Sequence, residues 1–207
     1  MKKIAEPSYQ MEPEKHSINA VFQEIRHDGM LFEKEECKKA INDEQFFECR
    51  FKNIRFTKNL SGCQFVDVEF DHCDFSNCNL SESVFRRVRF HTCRMMGSDF
   101  TMCRFQDVSV IHAKADFINL NGTKWKNALW QGNDFTESSI SNAECKNLQV
   151  SECDFTKTEF YHTPLKDIDV STSKIDGIAV VPEDLKGLIV NEEQAIACAR
   201  ILGLVIK

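Results

Sequence analysis

Every fifth residue from Leu60 to Ile175 is apolar, without a gap. The series opens Leu60, Phe65, Phe70, Phe75, Leu80, Phe85, passes through Trp125 and Trp130, and closes on Leu165, Val170 and Ile175. With 42% hydrophobic residues overall, a run of 24 such positions arises by chance with a probability on the order of 10⁻⁹. A period of five fits neither a helix at 3.6 nor a strand at 2.0, so a longer unit must coil and return the same side chain to the inside at each step. A second register lies two residues before the first and is mostly small or β-branched: Cys63, Val68, Cys73, Cys78, Ser83, Val88, and later Thr123, Ala128, Ser138 and Thr163. One large and one small inward position per five residues describe a narrow tube. The other three positions, as in Asp71-His72 and Ser76-Asn77, carry most of the charge and face water.

The unit Cys73-Asp74-Phe75-Ser76-Asn77, followed by Cys78-Asn79-Leu80-Ser81-Glu82, closely resembles the pentapeptide repeat. Similar units are Ser98-Asp99-Phe100-Thr101, Asn133-Asp134-Phe135-Thr136 and Cys153-Asp154-Phe155-Thr156. The resemblance implies an all-β fold: a right-handed quadrilateral parallel β-helix with one pentapeptide per side, followed by a short C-terminal α-helix. Residues twenty apart then stack, for example Phe65, Phe85, Phe105, Trp125, Cys145 and Leu165. With coils about 4.8 Å apart the repeat stretch is a rod of roughly 30 Å, stabilised between nearest neighbours and in need of caps. Two irregularities stand out. Leu60 follows Phe56 by only four residues, so a corner is tightened or a coil is broken. Ala115 is undersized, and a local bulge is expected to swing Phe117 inward over the gap, the alternative being that Phe117 is simply exposed.

This reading divides the chain into an N-terminal extension and cap at 1–45, the β-helix at 46–177, and a C-terminal cap and dimerisation helix at 178–207. Residues 1–15, with Pro7 and Pro13, read as extended or disordered. Ile18, Val21, Phe22, Ile25, Met30, Leu31 and Phe32 suffice for a short element, and 33–40 reads as a helical turn. At the other end, 181–190 reads as a turn and strand. Asn191 with Gln194 has the spacing of a capping box, opening a helix that stops at Gly203. Leu204-Val205-Ile206 reads as a last strand.

Chemistry adds little to this pattern. No apolar run follows the first lysines, which predicts neither a signal peptide nor a membrane span, and a cytoplasmic protein. Ten cysteines are present, but most fall at the small inward position, where a free thiol is a compact hydrophobe. His72-Cys73 and the pair His91 and Cys93 invite a zinc reading, yet no C-x₂-C pair exists, and no metal or cofactor is expected. There is no G-x-S-x-G and no glycine-rich phosphate loop, so no catalytic residue and no enzyme activity are expected.

The tail Leu185-Lys186-Gly187-Leu188-Ile189-Val190-Asn191, with Gln194-Ala195 and Leu202-Gly203-Leu204, resembles the C-terminal signature of the quinolone-resistance branch of the pentapeptide repeat proteins. The unbroken period places the chain with loopless members. The resemblance implies a homodimer joined at the C-termini, with Ile196, Ala199, Ile201, Leu202, Leu204 and Ile206 at the interface. It also implies a DNA-mimicking protein that binds DNA gyrase or topoisomerase IV and protects them from quinolones, an antibiotic-resistance function without direct nucleic-acid or membrane binding. A mimic must present anions where phosphates sit, and the formal charge of −6 has that sign. The expected partner-binding residues are Asp134, Glu137, Glu144, Glu152, Asp154, Glu159, Asp167 and Asp169, which would flank the centre of the dimer. A basic band, Arg86, Arg87, Arg89, Arg94 and Arg104, interrupts the acidic pattern. The alternative reading is a rigid scaffold for a different protein partner.

Overall fold

The computed structural model describes residues 3–20 and 25–206. Val21 and Phe22, counted above among the apolar residues near the N-terminus, lie outside them. The chain winds as a parallel four-sided solenoid. Its strands are β1 Glu14–Lys15, β2 Arg26–Asp28, β3 Met30–Glu33, β4 Glu36–Cys37, β5 Gln45–Phe47, β6 Arg50–Lys52, β7 Arg55–Phe56, β8 Gln64–Asp71, β9 Val84–His91, β10 Arg104–Ile111, β11 Lys124–Gln131 and β12 Glu144–Ser151. Side 1 is centred on Leu60, Leu80 and Phe100, side 2 on Phe65, Phe85 and Phe105, side 3 on Phe70, Phe90 and Val110, and side 4 on Phe75, Met95 and Ala115. The long strands β8 to β12 cover sides 2 and 3, while sides 1 and 4 join coil to coil through single parallel bridges such as Asp74 to Arg94 and Asp99 to Asn119.

The core follows from the twenty-residue register. Phe65 pairs with Phe85, Phe85 with Phe105, and Phe105 with Trp125, all in parallel register. Their rings stack nearly flat, with centroids 5.1, 4.9 and 3.7 Å apart. Between neighbouring sides the rings meet edge to face, as Phe70 and Phe75 do at 78°, so the aromatic quadrupoles attract along and across the column. Voids of about 20 Å³ lie near Trp130, Phe155 and Phe160 and near Phe90, Phe100 and Phe105. Each has apolar walls and room for one water at most. The interior is filled, and none of it is accessible to a substrate.

The coil starts earlier than residue 46. His27 pairs with Phe46 and Phe46 with Phe65, Phe32 with Phe51 and Phe51 with Phe70, each nineteen residues apart. One residue is missing at the same corner twice, between Cys37 and Ile41 and between Phe56 and Leu60. Those corners are tightened rather than broken: Ile41 N–H still donates to Asn59 O at 2.8 Å, and Thr57 Oγ1 to Cys37 O at 2.8 Å. The helical turn expected at 33–40 is instead strand β4, which pairs with β7 because Cys37 stacks inward on Phe56. Ile18 is fully buried, whereas Ile25 is 68% exposed. Residues ahead of β1 lie against the column: Ser8 N–H donates to Asp67 Oδ1, Gln10 N–H to Glu48 Oε2, and the Arg50 guanidinium sits 4.1 Å from the centre of the Tyr9 ring.

Two other expectations are corrected. There is no bulge at Ala115: its side chain is wholly buried in register, and Phe117 is 56% exposed. Phe117 has a φ of 59° and occupies the left-handed corner position taken elsewhere by Asn77, Gly97, Glu137 and Lys157, where the side chain points outward. Ile118, 2% exposed, supplies the missing volume from the usually small register. At the C-terminal end, Pro182–Leu185 forms a 3-10 turn, and Ile189 makes a single bridge to Asp169, so the coil continues past 177. Helix α1, Glu192–Ile201, starts with the expected capping box. Leu204, Val205 and Ile206 form no strand: they are exposed and extend beyond the helix with no sheet edge to join.

Candidate interaction surface

The small inward residues do more than save space. Cys63 Sγ donates to Ile41 O at 3.2 Å, Cys73 to Phe51 O at 3.3 Å, Cys103 to Leu80 O at 3.1 Å, and Thr158 Oγ1 to Phe135 O at 2.7 Å. Each reaches back one coil to a carbonyl that turns inward at a corner, and Asn133 does the same for Val110 O at 2.9 Å. A buried carbonyl without such a partner costs about 1–3 kcal/mol, which explains the preference for Cys, Ser, Thr and Asn over Ala. The periodicity locates these positions, but the donor role becomes visible only with the carbonyls placed. Burial raises the thiol pKa of Cys49, Cys63 and Cys103 to about 12, so these thiols are unreactive.

Every group available for recognition is on the outside. The eight carboxylates expected to form one acidic surface are spread over all four sides. Asp134 and Asp154 lie on side 4, and each accepts the backbone N–H two residues ahead at 3.0 Å. Asp154 also pairs with Lys174 at 2.8 Å, Glu137 at the next corner with Lys157 at 2.9 Å, and Glu144 on side 2 with Lys124 at 2.7 Å. Glu159 is on side 1, accepting weakly from Ser139 Oγ at 3.4 Å, and Asp169 is on side 3, accepting from Ser171 N–H at 2.9 Å. Glu152 and Asp167 are exposed at left-handed corners on either side of side 3. Partial burial works against ionisation of Asp154, but hydrogen bonds from Lys174 and Thr156 outweigh it and hold its carboxyl below the usual range.

The arginine band also separates. Arg87 makes a two-pronged contact with the nearly buried Asp67, at 2.7 and 2.5 Å, and the corner continues through Asp107, Asn127 and Asn147 as a hydrogen-bonded ladder. Arg89 stacks over Glu69 on side 3, and Arg94 bridges to Asp74 on side 4. Arg86 and Arg104 fall on side 2 together with Lys124, Lys126 and Lys146, beside an open groove of about 760 Å³. Reading positions 86, 106, 126 and 146 as one column, and 104 and 124 as part of its neighbour, would have revealed this grouping in the sequence.

Among the described residues, Asp71, His72 and His91 form a group of metal-ligating type, with Asp71 Oδ1 2.9 Å from Nδ1 of each histidine. Asp71 and His91 are stacked by the coil register, and His72 follows Asp71 in sequence. Partial burial raises the Asp71 pKa, but hydrogen bonds from His91 and His72 prevail and lower it, so the carboxylate is already held by hydrogen bonds.

At the C-terminal end, Gln194 is buried. Its Nε2 donates to Val170 O at 2.9 Å and Ser173 O at 2.6 Å, and its Oε1 accepts the Asn191 N–H. Cys198 and Ile201 pack against the core from the same helix, which caps the last coil. Of the six expected interface residues, Ile196, Leu202, Leu204 and Ile206 are exposed, at 45 to 59%, while Ala199 and Ile201 are half-buried. No described helix is long and apolar enough to cross a membrane.

The family model described as a pentapeptide repeat region matches residues 83–160, and that described as pentapeptide repeats in eight copies matches 59–101. Among solved structures, the chain is similar to a trypsin-treated QnrB1, a plasmid-mediated fluoroquinolone resistance protein. Identity is 16%, with 88% of this chain and 100% of that one covered at a TM-score of 0.39. It is also similar to a pentapeptide repeat protein of the Arabidopsis thaliana thylakoid lumen, at 16% identity over 53% of this chain and 70% of that one, with a TM-score of 0.42. A third is HetL of the cyanobacterium Nostoc, involved in heterocyst differentiation regulation, at 12% identity over 83% and 91%, with a TM-score of 0.37. A search of curated proteins finds no match.

Proposed function

We infer, from the premise that this chain belongs to the pentapeptide repeat family, that it works without catalysis, as a rigid column that binds other proteins through its outer sides. The filled interior carries this reading. Phe65, Phe85, Phe105 and Trp125 occupy the space a substrate would need, and recognition is left to the surface. Turnover by the pure protein in hydrolase or transferase assays would overturn it.

The more specific form of the proposal is a homodimer that binds DNA gyrase or topoisomerase IV in place of DNA and lowers quinolone action. Supporting it are the exposed Glu152 and Asp167 in the C-terminal half, without an ion pair among the described residues, and the apolar end formed by Ile196, Leu202, Leu204 and Ile206, which suits an isologous contact. The ion pairs of Glu137, Glu144 and Asp154 reduce the anionic field such a mimic needs. A gyrase supercoiling assay with and without ciprofloxacin separates the two forms. Rescue by the protein, lost in the Leu204→Glu variant together with the dimer in light scattering, supports the topoisomerase reading. Indifference at micromolar protein leaves a scaffold with another protein partner.

A further inference from the structure

We propose that side 2 is a docking face for an acidic, α-helical segment of a partner protein. The inference rests on reading the column as an interaction protein and names the chemistry of one partner.

It begins from how charges stack. In a parallel solenoid each surface residue sits about 4.8 Å from its counterpart one coil away, where like charges repel. Over most of the column the signs alternate: Glu36 lies over Arg55, Arg55 over Asp74, Asp74 over Arg94, Arg50 over Glu69, Glu69 over Arg89, and Lys52 over Asp71. Arg94 over Lys114 and Asp134 over Asp154 depart from this at isolated places. On side 2 the departure occurs twice, both times between cations. Arg104 is in register with Lys124, and Lys126 with Lys146, with Arg86 in the second column beyond the neutral Gln106. All five cations are exposed, and among the described residues Lys124 alone has an ion pair, with Glu144. Asp107 at the neighbouring corner already accepts from Gln106 and Asn127. Side 2 therefore carries two cation-over-cation contacts and, among the described residues, four cations without an ion pair, and a bound anionic partner would relieve that repulsion.

The spacing indicates which partner. The cations line a groove whose partly exposed apolar positions are Val84, Cys145 and Pro164. A helix lying along the column repeats each face every 5.4 Å, within about 0.6 Å of the coil rise and well inside the reach of lysine and arginine side chains. An extended strand repeats its face every 6.6–6.8 Å and loses register after one or two coils. Single-stranded nucleic acid needs exposed aromatic faces for its bases, and Phe85, Phe105 and Trp125 are buried to within 3%. An amphipathic helix with carboxylates one turn apart meets the cations while its apolar residues reach the groove.

The test is fluorescence anisotropy with a labelled 21-residue amphipathic peptide carrying glutamate at i, i+4 spacing and leucine between. The arms use the full-length protein, the K126E/K146E variant, and K58E/K114E as a control of equal charge change on another side. The expected result is binding that weakens at least tenfold in K126E/K146E and when salt rises from 50 to 300 mM, and less than threefold in the control, with circular dichroism melts showing both variants folded. Absence of peptide binding, equal loss in the control, or tighter binding of a 20-nucleotide single-stranded or duplex DNA that is abolished by K126E/K146E would overturn the proposal. Topoisomerase protection that persists in K126E/K146E without peptide binding would refute this inference and leave the proposed function standing.

Discussion

Phe117 shows how much the backbone decides at a single position. With φ at 59°, it occupies a left-handed corner that glycine takes at Gly62, Gly97, Gly122 and Gly132. A side chain there costs on the order of 1–2 kcal/mol, against which glycine loses about 0.5–1 kcal/mol of chain entropy. Phe117→Gly is therefore expected to stabilise the protein by about 0.5 kcal/mol, raising the melting temperature by roughly 1–2 °C. Ala115→Leu should lower the stability by about 1–3 kcal/mol, because Ile118 already fills that layer. The opposite pair of signs in thermal melts would restore the bulge. Sequence alone could not separate these outcomes, since Ala115-Asp116-Phe117 offers an aromatic residue near a small one and gives no sign of the corner conformation.

At the scale of the element, the C-terminal helix is held by one residue at two jobs. Gln194 closes the capping box and gives its amide to the carbonyls of Val170 and Ser173, which face the open end of the last coil. Gln194→Ala leaves two carbonyls without donors and should cost about 2–3 kcal/mol, lowering the melting temperature by roughly 4–10 °C. Gln194→Glu keeps the shape but turns a donor into an anion facing two carbonyls, and it should be no milder. An unchanged melting temperature would show that the helix does not cap the column. The box was legible from Asn191 and Gln194 because capping is local chemistry. So was the solenoid from 60 to 175, where the large inward position recurs every fifth residue without a slip. The coils before it were hidden by two four-residue steps, at Cys37 to Ile41 and Phe56 to Leu60, which shift the ladder from twenty to nineteen residues and blur the period around His27 and Phe32. The surface was least legible: neighbours in sequence such as Arg86, Arg87 and Arg89 fall on side 2, a corner and side 3, so a charged run in the chain is not a charged patch on the molecule.

For the whole molecule, the column's dependence on neutral thiols predicts how it fails with pH. Cys49, Cys63 and Cys103 are fully buried, and desolvation carries their pKa to about 12, whereas an unfolded cysteine titrates near 8.5. A folded-state pKa raised above the unfolded one means that the unfolded chain binds fewer protons at high pH, so the stabilising contribution is complete below about 8.5 and is lost as pH rises towards the folded value. Each such thiol removes up to about 1.4 kcal/mol per pH unit in that window, and three together about 4 kcal/mol per unit, comparable over two units with the whole stability of an ordinary domain. Because each coil is held by its neighbours, weakening these layers should release the N-terminal half cooperatively rather than residue by residue. The expected observation is a melting temperature that is flat between pH 6 and 8 and falls steeply above about pH 9, with iodoacetamide labelling of these thiols rising in step. Replacing all three by serine keeps a donor for the inward carbonyls and removes their share of the titration, while burial still holds the thiols of Cys73, Cys78, Cys145 and Cys153 above the usual range. That variant should start less stable at pH 7 and lose less between pH 9 and 11, and parallel curves for the two proteins would show that these three thiols do not set the alkaline limit.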